Sequence, residues 1–483
     1  MSASNSLTPG AWGNLEMPVG TDSSAELPVI LSFPLPFRVL VLAGLGILGW
    51  ATNLHGLDLL GVDAVNALDL RVDVASSNAH IHLPSHLSGS TAKHPAHPSV
   101  IYTAVYRLFS AYALWVFLSW AVFRYLTYGD ILLVDAFGYI PAISALVVLL
   151  VLVCPIDALY KHERDKFLHA VRRCLFTSMD GPVYFADVVF ADIFTSFAKV
   201  LGDVWLSACM LLPGNTLFLT PADGPWLRWV APTVMSLPYL VRLKQCVVEY
   251  SLSSNESRRP LFNALKYATS FPVIYLSAAQ RIVVSELVKE KGDDIAKEAW
   301  HGEHRLFRLW LLAAAINSLY SFWWDVTNDW GLTLLQPKNS TRDRPPPPRR
   351  LLLPDEQYTT ATNHQRQPLV PYGLRSTLLY PLPVYPLLVF LNLVLRLTWS
   401  IKLSTHLHSK TDGSVAIFWL EMAEVGRRWM WVFLRVEWEV IKKMQHGGSR
   451  REVLLDDFSG DETESEYEMV PRTPDGERVG RAP

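Results

Sequence analysis

Apolar residues in this chain come in blocks of roughly 20, separated by polar, Pro-rich or charged stretches, and that block length constrains the fold more than any other feature. A helix of about 20 residues crosses ~30 Å of hydrocarbon. The blocks run over 36–54, 101–126, 131–153, 183–212, 226–243, 267–284, 306–324, 378–401 and 415–434, which predicts an all-α polytopic membrane protein with about nine transmembrane helices. The blocks at 183–212 and 415–434 carry ionisable residues and are the weakest by hydropathy alone. Charged residues make up 18% of the chain, against roughly 25% in a soluble protein, and the net charge is −2. A near-neutral balance without a basic stripe argues against nucleic-acid binding. Four scattered cysteines (Cys154, Cys174, Cys209, Cys246) form no CxxC pair, which excludes a disulfide scaffold and a Cys-based zinc ribbon.

Basic residues set the orientation. They concentrate at 161–173, 244–266, 338–375 and after 442, on one side of nine spans, whereas 127–130 and 213–225 carry no lysine. The loop 285–305, with Lys289, Lys291, Lys297 and Arg305, fits this pattern least well. The C-terminus is then cytosolic and the segment 1–35 lumenal; no Lys or Arg precedes Arg38, so the first block reads as an anchor and not as a cleaved signal. The expected organisation is N-terminal transmembrane helices over 36–153, a core helical domain over 154–440, a disordered Pro/Arg-rich cytosolic loop at 337–372 within it, and a disordered acidic tail at 441–483.

Ionisable side chains placed where lipid should be are costly and mark function or helix pairing. Asp187, Asp192, Lys199 and Asp203 lie in FADVVFADIFTSFAKVLGDVW, Asp325 and Asp329 one helical turn apart in FWWDVTNDWGL, and Arg396 in LNLVLRLTWSIKLS. The last span, LEMAEVGRRWMWVFLRVEWEV, places Glu424 within reach of Arg427 and Arg428, and sets Arg428, Trp431 and Arg435 along one face. Guanidinium groups there must meet protein or water. Their planar fork suits oxyanions, and an ionised carboxylate beside them accepts the O–H that phosphate keeps and sulfate lacks. The bland alternative is Arg–Asp pairs that fasten helices together; Lys199, Lys402 and Arg435 fit snorkelling or packing as well as a ligand role, and Asp203 fits structural pairing better.

At these positions the sequence resembles the EXS-domain family, which includes phosphate exporters of the retrovirus-receptor type and fungal ER-protein retention proteins. The motifs are FADVVFADIFTS (185–196), YLVRLKQC (239–246), NALKYATSF (263–271), WWDVTNDWGL (323–332), LRLTWSIKLS (395–404) and EVGRRWMWVFLRVEWE (424–439), with LDLLGVDAVNALDL similar to the family's first cytosolic loop. The resemblance implies a phosphate pathway lined by the last six spans, with Asp187 or Asp192, Arg242, Lys266, Asp325 or Asp329, Arg396, Glu424, Arg427 and Arg428 at matching polar positions, and Trp431, or else Trp399, as gate. The exporters begin with a Lys-rich SPX domain, whereas about 35 residues precede the first span here. That points to the short fungal Golgi type, implying return of lumenal phosphate from glycosylation to the cytosol, in support of ER protein retention and of Golgi glycosyltransferases.

The implied partners are inorganic phosphate, the lipid bilayer and a cytosolic retention or coat factor; a homodimer is compatible, and no cofactor or metal is expected. A competing reading is a Golgi membrane sorting adaptor, cycling with the ER, that recruits trafficking factors without transport. An enzyme is not expected, because no HExxH, GxSxG or P-loop is present. His80, His82, His86, His94 and His97 lie in a Pro/Ser/Gly loop that reads as a polar connector. Both glycosylation sequons, at Asn255 and Asn339, fall in loops assigned to the cytosol. Endoglycosidase treatment of the expressed protein should leave its gel mobility unchanged, and a downward shift would reverse the orientation.

Overall fold

A computed structural model of the chain describes residues 31–68, 98–157, 160–176, 183–212, 217, 227–252, 257–291, 305–334, 374–375, 377–397 and 413–460. Among the described residues every regular element is helical. In chain order these are α1 (Leu35–Leu59), α2 (Ala64–Ala67), α3 (Pro98–Thr127), α4 (Ile131–Ala136), α5 (Tyr139–Val153), α6 (Lys161–Leu175), α7 (Phe185–Ser196), α8 (Ala198–Met210), α9 (Leu227–Ser251), α10 (Arg259–Ala268), α11 (Ser270–Lys291), α12 (Arg305–Trp324), a π-turn (Asp325–Asp329), α13 (Val384–Leu397) and α14 (Gly413–Gly460). Each apolar block of the sequence carries a helix. Four helical stretches (Leu35–Leu59, Pro98–Thr127, Ile131–Val153 and Arg305–Asp329) are long and apolar enough by themselves to cross a membrane.

The remaining helices are shorter or carry charges, and the reason lies in what they pack against. α1 is apolar all round because it lies between α3, α8 and α14. A Cβ at Gly46 would come within 2.8 Å of the Phe197 ring, so only glycine allows that approach. α3 and α5 instead present leucines and aromatic rings outward: Leu114, Phe117, Leu118, Leu146 and Leu149 are all at least half exposed. That surface suits lipid.

Two interruptions shape the interior. The block 183–212 is two helices and not one continuous span: at Phe197 the backbone leaves helical geometry (φ −92°, ψ 8°) between α7 and α8. Thr195 Oγ1 donates back to the Asp192 carbonyl at 2.7 Å, a local bond of the kind that bends helices. The second interruption follows α12, where the Trp330 N–H reaches back five residues to the Asp325 carbonyl at 2.9 Å and makes the π-turn. π-turns of this type recur at functional sites. Gly331 then turns the chain with φ +63°, and the Trp438 ring lies 2.5 Å from where its Cβ would be.

The helix α14 spans the whole arrangement. Its middle is buried against α1, α7 and α13, and a continuous apolar cluster that includes Leu57, Val326, Trp330, Leu332, Tyr385, Trp431, Leu434 and Val440 surrounds it. The segment leading into α13 is latched to it: Arg375 Nη2 meets Glu437 Oε2 at 2.6 Å, the Leu379 N–H donates to Glu437 Oε1 at 2.9 Å, and the Tyr385 hydroxyl donates to the same carboxylate. The LDLLGVDAVNALDL stretch docks on α14 as well, with Lys443 Nζ capping the Asn66 and Ala67 carbonyls at 3.0 Å.

The helix corrects the expected tail boundary. Disorder was expected from 441, yet α14 continues to Gly460. Once a helix is nucleated, each added residue gains a hydrogen bond without a new nucleation cost. Residues 461–483, the loop 337–372, both sequons, the five histidines, Lys402 and Trp399 lie outside the described residues. Substitution of Gly331 by Ala forces a positive φ on a residue with a Cβ, at ~1–2 kcal/mol, and drives that Cβ into Trp438. Thermal denaturation of the detergent-solubilised variant should show a lowered midpoint, whereas an unchanged midpoint would mean this turn is not formed.

Candidate functional site

The interior of the bundle is built around one carboxylate. Asp325, the first residue of the π-turn, is wholly buried. Its Oδ1 accepts from Lys266 Nζ of α10 at 3.0 Å. Its Oδ2 accepts from Arg396 of α13, at 2.5 Å from Nη2 and 3.2 Å from Nε, and from Asn392 Nδ2 at 3.4 Å. Arg427 Nη1 of α14 stands 3.7 Å away and donates to Asn392 Oδ1 at 3.2 Å. One side chain thereby draws four elements together. The π-turn also brings Asp329 to the same lysine, at 3.0 Å from Lys266 Nζ.

A second node sits beside it on α7, α9 and α10. Asp192 Oδ1 accepts from Arg242 Nε at 3.0 Å and from the Tyr267 hydroxyl at 2.5 Å. Arg242 donates further to Gln245 Oε1 at 2.6 Å, and its guanidinium lies 4.9 Å from the Tyr267 ring centre. The third node joins α7 to α14. Glu424 receives Arg427 through Nε at 2.8 Å and Nη2 at 2.5 Å, and accepts from Ser196 Oγ at 2.7 Å.

Arg428 differs from Arg242, Arg396 and Arg427, each of which pairs with a carboxylate. It donates from Nε to Ser196 Oγ and from Nη2 to Thr195 Oγ1, both at 3.0 Å. Its guanidinium lies 4.7 Å from the Trp431 ring centre. Only 5% of the residue is exposed, its Nη1 has no hydrogen-bond partner, and among the described residues no carboxylate lies within ion-pair distance of it. A buried N–H without an acceptor is costly and calls for an explanation.

These nodes border a cavity of about 120 Å³. One water requires roughly 10–15 Å³, so the space accommodates a small hydrated ion. Lys266, Arg396, Arg427, Arg428, Glu424 and Lys199 contribute to its wall, with Ser196, Tyr239, Tyr267 and Asn317 supplying hydroxyl and amide groups. Of the residues singled out from sequence, Asp325 and Asp329 stand behind this wall and hold Lys266 and Arg396 in place, while Asp192 and Arg242 pair with each other behind Tyr267. Asp187 faces elsewhere: it pairs with Arg173 of α6 at 2.6 Å, away from the cavity. Trp431 is fully buried beneath Arg428, off the wall itself.

Several participants were missed by sequence reading, although helical spacing pointed to them. Asn392 lies four residues before Arg396, Thr195 and Ser196 three and four after Asp192, and Glu421 three before Glu424, each on the face of the charge it accompanies. Tyr267 sits next to Lys266, and Tyr239 three residues before Arg242. Tyr267, one residue from Lys266, lies outside that spacing and offered no such signal, because a tyrosine in an apolar helix reads as packing.

Four helical stretches long and apolar enough to span a bilayer, one of which lines a charged interior cavity, define a polytopic helical membrane protein. The chain belongs to the EXS family, whose model matches residues 33–441, taking in the first helices as well as the later motifs. It is similar to Protein ERD1 homolog 2 of Schizosaccharomyces pombe, at 30% identity over 331 residues that cover 66% of this chain and 73% of that protein. It is also similar to Protein ERD1 of Kluyveromyces lactis, at 28% over 266 residues covering 54% of this chain and 60% of that one. Phosphate transporter PHO1 of Arabidopsis thaliana matches at 26% over 301 residues, 62% of this chain but 32% of the plant protein.

The two aspartate pairings differ in a measurable way. Breaking a buried ion pair costs ~3–5 kcal/mol, because the partner charge is left uncompensated, whereas a pair with an exposed partner contributes ~0–1 kcal/mol. Asp325 is buried with all its cations, while the Arg173 side chain is 39% exposed. D325A should therefore lower the thermal midpoint of the purified protein far more than D187A; equal effects would show that the Asp325 node does not organise the interior.

Proposed function

We propose that this chain is a phosphate transporter of the Golgi membrane that returns lumenal inorganic phosphate, released by glycosylation, to the cytosol, and so supports retention of ER lumenal proteins and of Golgi glycosyltransferases. The observation that carries the reading is Arg428: a buried guanidinium whose Nη1 has no acceptor, belonging to a residue that lines a cavity of about 120 Å³. Arg396, Arg427 and Lys266 add positive charge to the same wall, while the carboxylates behind them keep the interior close to neutral. The likeness to a plant phosphate transporter supports the choice of anion.

The geometry also refines how phosphate would be told from sulfate. The aspartates lie behind the wall, engaged with arginine and lysine, whereas Glu424 reaches the cavity with its side chain 31% exposed. Glu424 is thus the carboxylate placed to accept the O–H of a phosphate monoanion, and sulfate brings no proton to that position. The reading includes the orientation argued from basic loops, with the start of α14 toward the lumen and its end in the cytosol, and it assigns no chemical step to the chain. Recruitment of a cytosolic trafficking factor by the tail is the second reading, supported only by the acidic composition of the last thirty residues.

Uptake of labelled phosphate into proteoliposomes of the purified protein tests the proposal. Wild type should take up phosphate with little competition from sulfate, and R396A, R427A or R428A, purified at normal yield, should lose at least about tenfold of that flux, in line with the loss of a charge-assisted hydrogen bond. Removal of residues 461–483 should leave the flux intact. Absence of uptake by the wild type, or full flux in R428A, would refute transport through this cavity.

A further inference from the structure

The chain through the end of α7 and the start of α8 runs opposite to α14 along one side of the cavity, and the polar and charged residues of the two form successive layers. Arg428 meets Thr195 and Ser196 at the end of α7; Ser196 meets Glu424; three residues further, past the break at Phe197 and one turn back along α14, Lys199 of α8 meets Glu421 with its Nζ 3.7 Å from Oε1. Lys199 also donates to Asp203 Oδ1, four residues on in α8. This outer layer differs from the inner ones in two respects. The Lys199 side chain is 27% exposed, against 3–12% for Lys266, Arg396 and Arg427. Its ammonium has three donors, and the bond to Asp203 uses one; Glu421 stands beyond hydrogen-bonding distance.

Both carboxylates around it are buried, at 5% exposure for Asp203 and 6% for Glu421, so neither can turn away to water. Glu421 and Lys199 are both on the cavity wall. A lysine here is a compact, hydrated point charge on a flexible stem, able to swing between fixed anions and a mobile one, whereas the inner arginines are locked by two or more hydrogen bonds each.

On the phosphate reading given above, we propose that Lys199 is a further phosphate-contacting residue, the outer cation of the cavity, and that Glu421 is a positioning residue that competes with the incoming anion for its ammonium group. Phosphate arriving at the outer layer exchanges for Glu421 at Lys199 and then passes inward to Arg428. Asp203 keeps the lysine on the wall during the exchange. The pair thereby sets the apparent affinity of the outer site: strong enough to gather phosphate and weak enough to let it move on.

The two partners must then shift affinity in opposite directions, which a simple helix-fastening pair would not do. In the proteoliposome assay, K199Q should raise the KM for phosphate roughly tenfold, the worth of one charge-assisted hydrogen bond, while E421Q should lower it by a few-fold, and K199R should stay close to wild type. The Lys199 assignment is overturned if wild type transports phosphate but E421Q has an unchanged or raised KM, a measurement that holds even if K199Q does not fold. An unchanged KM in folded K199Q overturns it equally. A wild type that transports no phosphate would instead remove the transport reading on which the assignment rests.

Discussion

The interior of this protein depends on the fact that a carboxylate taken out of water needs its charge and its lone pairs met by protein. Asp325 is met by Lys266, Arg396, Asn392 and, at ion-pair distance, Arg427. Those partners come from α10, α13 and α14, so satisfying one side chain fixes the mutual placement of three helices and the π-turn that carries it. The π-turn has a role in this. It carries Asp325 and Asp329 four residues apart, each reaching Lys266 at 3.0 Å. Burying so many charges is costly, and replacing such pairs by apolar residues is often neutral or stabilising. Retaining them makes physical sense where the cations are needed for something else.

The arrangement separates two tasks. Aspartates and Arg242 form a scaffold behind the wall, and Arg428, Lys266, Arg396, Arg427 and Glu424 present donors and an acceptor to the cavity. The helix α14 serves both, because Glu424, Arg427 and Arg428 face the cavity while Trp431, Leu434 and Val440 enter the apolar cluster beyond it. The latch of Arg375 and Tyr385 on Glu437 holds that apolar end closed around α14. Trp431, stacked against Arg428, forms the boundary between the charged and apolar halves.

Much of this was legible in the sequence because the chemistry left few alternatives. A block of about 20 apolar residues has essentially one stable state in a bilayer, and each block is indeed helical. The charges of the last span revealed their grouping by spacing alone: Glu424 pairs with Arg427, and Arg428 shares a face with Trp431. The family motifs identified the chain correctly. What the sequence could not show was which helix supplies each partner. Asp187 and Asp192 look alike as letters, yet they lie five residues apart on α7, so one turns to Arg173 and the other to Arg242. The break at Phe197 and the π-turn at Asp325 were equally hidden, since both fall inside continuous helical blocks without Pro or Gly at the break. The extent of α14 was underestimated because a polar, glycine-containing segment carries no apolar signal even where helix propagation continues.

The central claim is that the cavity receives a small oxyanion at Arg428, and an experimental density map of the purified protein with inorganic phosphate tests it most directly. The account predicts a tetrahedral density inside the cavity, within hydrogen-bonding distance of Arg428 Nη1 and beside Glu424. A cavity that holds only water at saturating phosphate, or a phosphate bound elsewhere while Arg428 Nη1 points at protein, would contradict it.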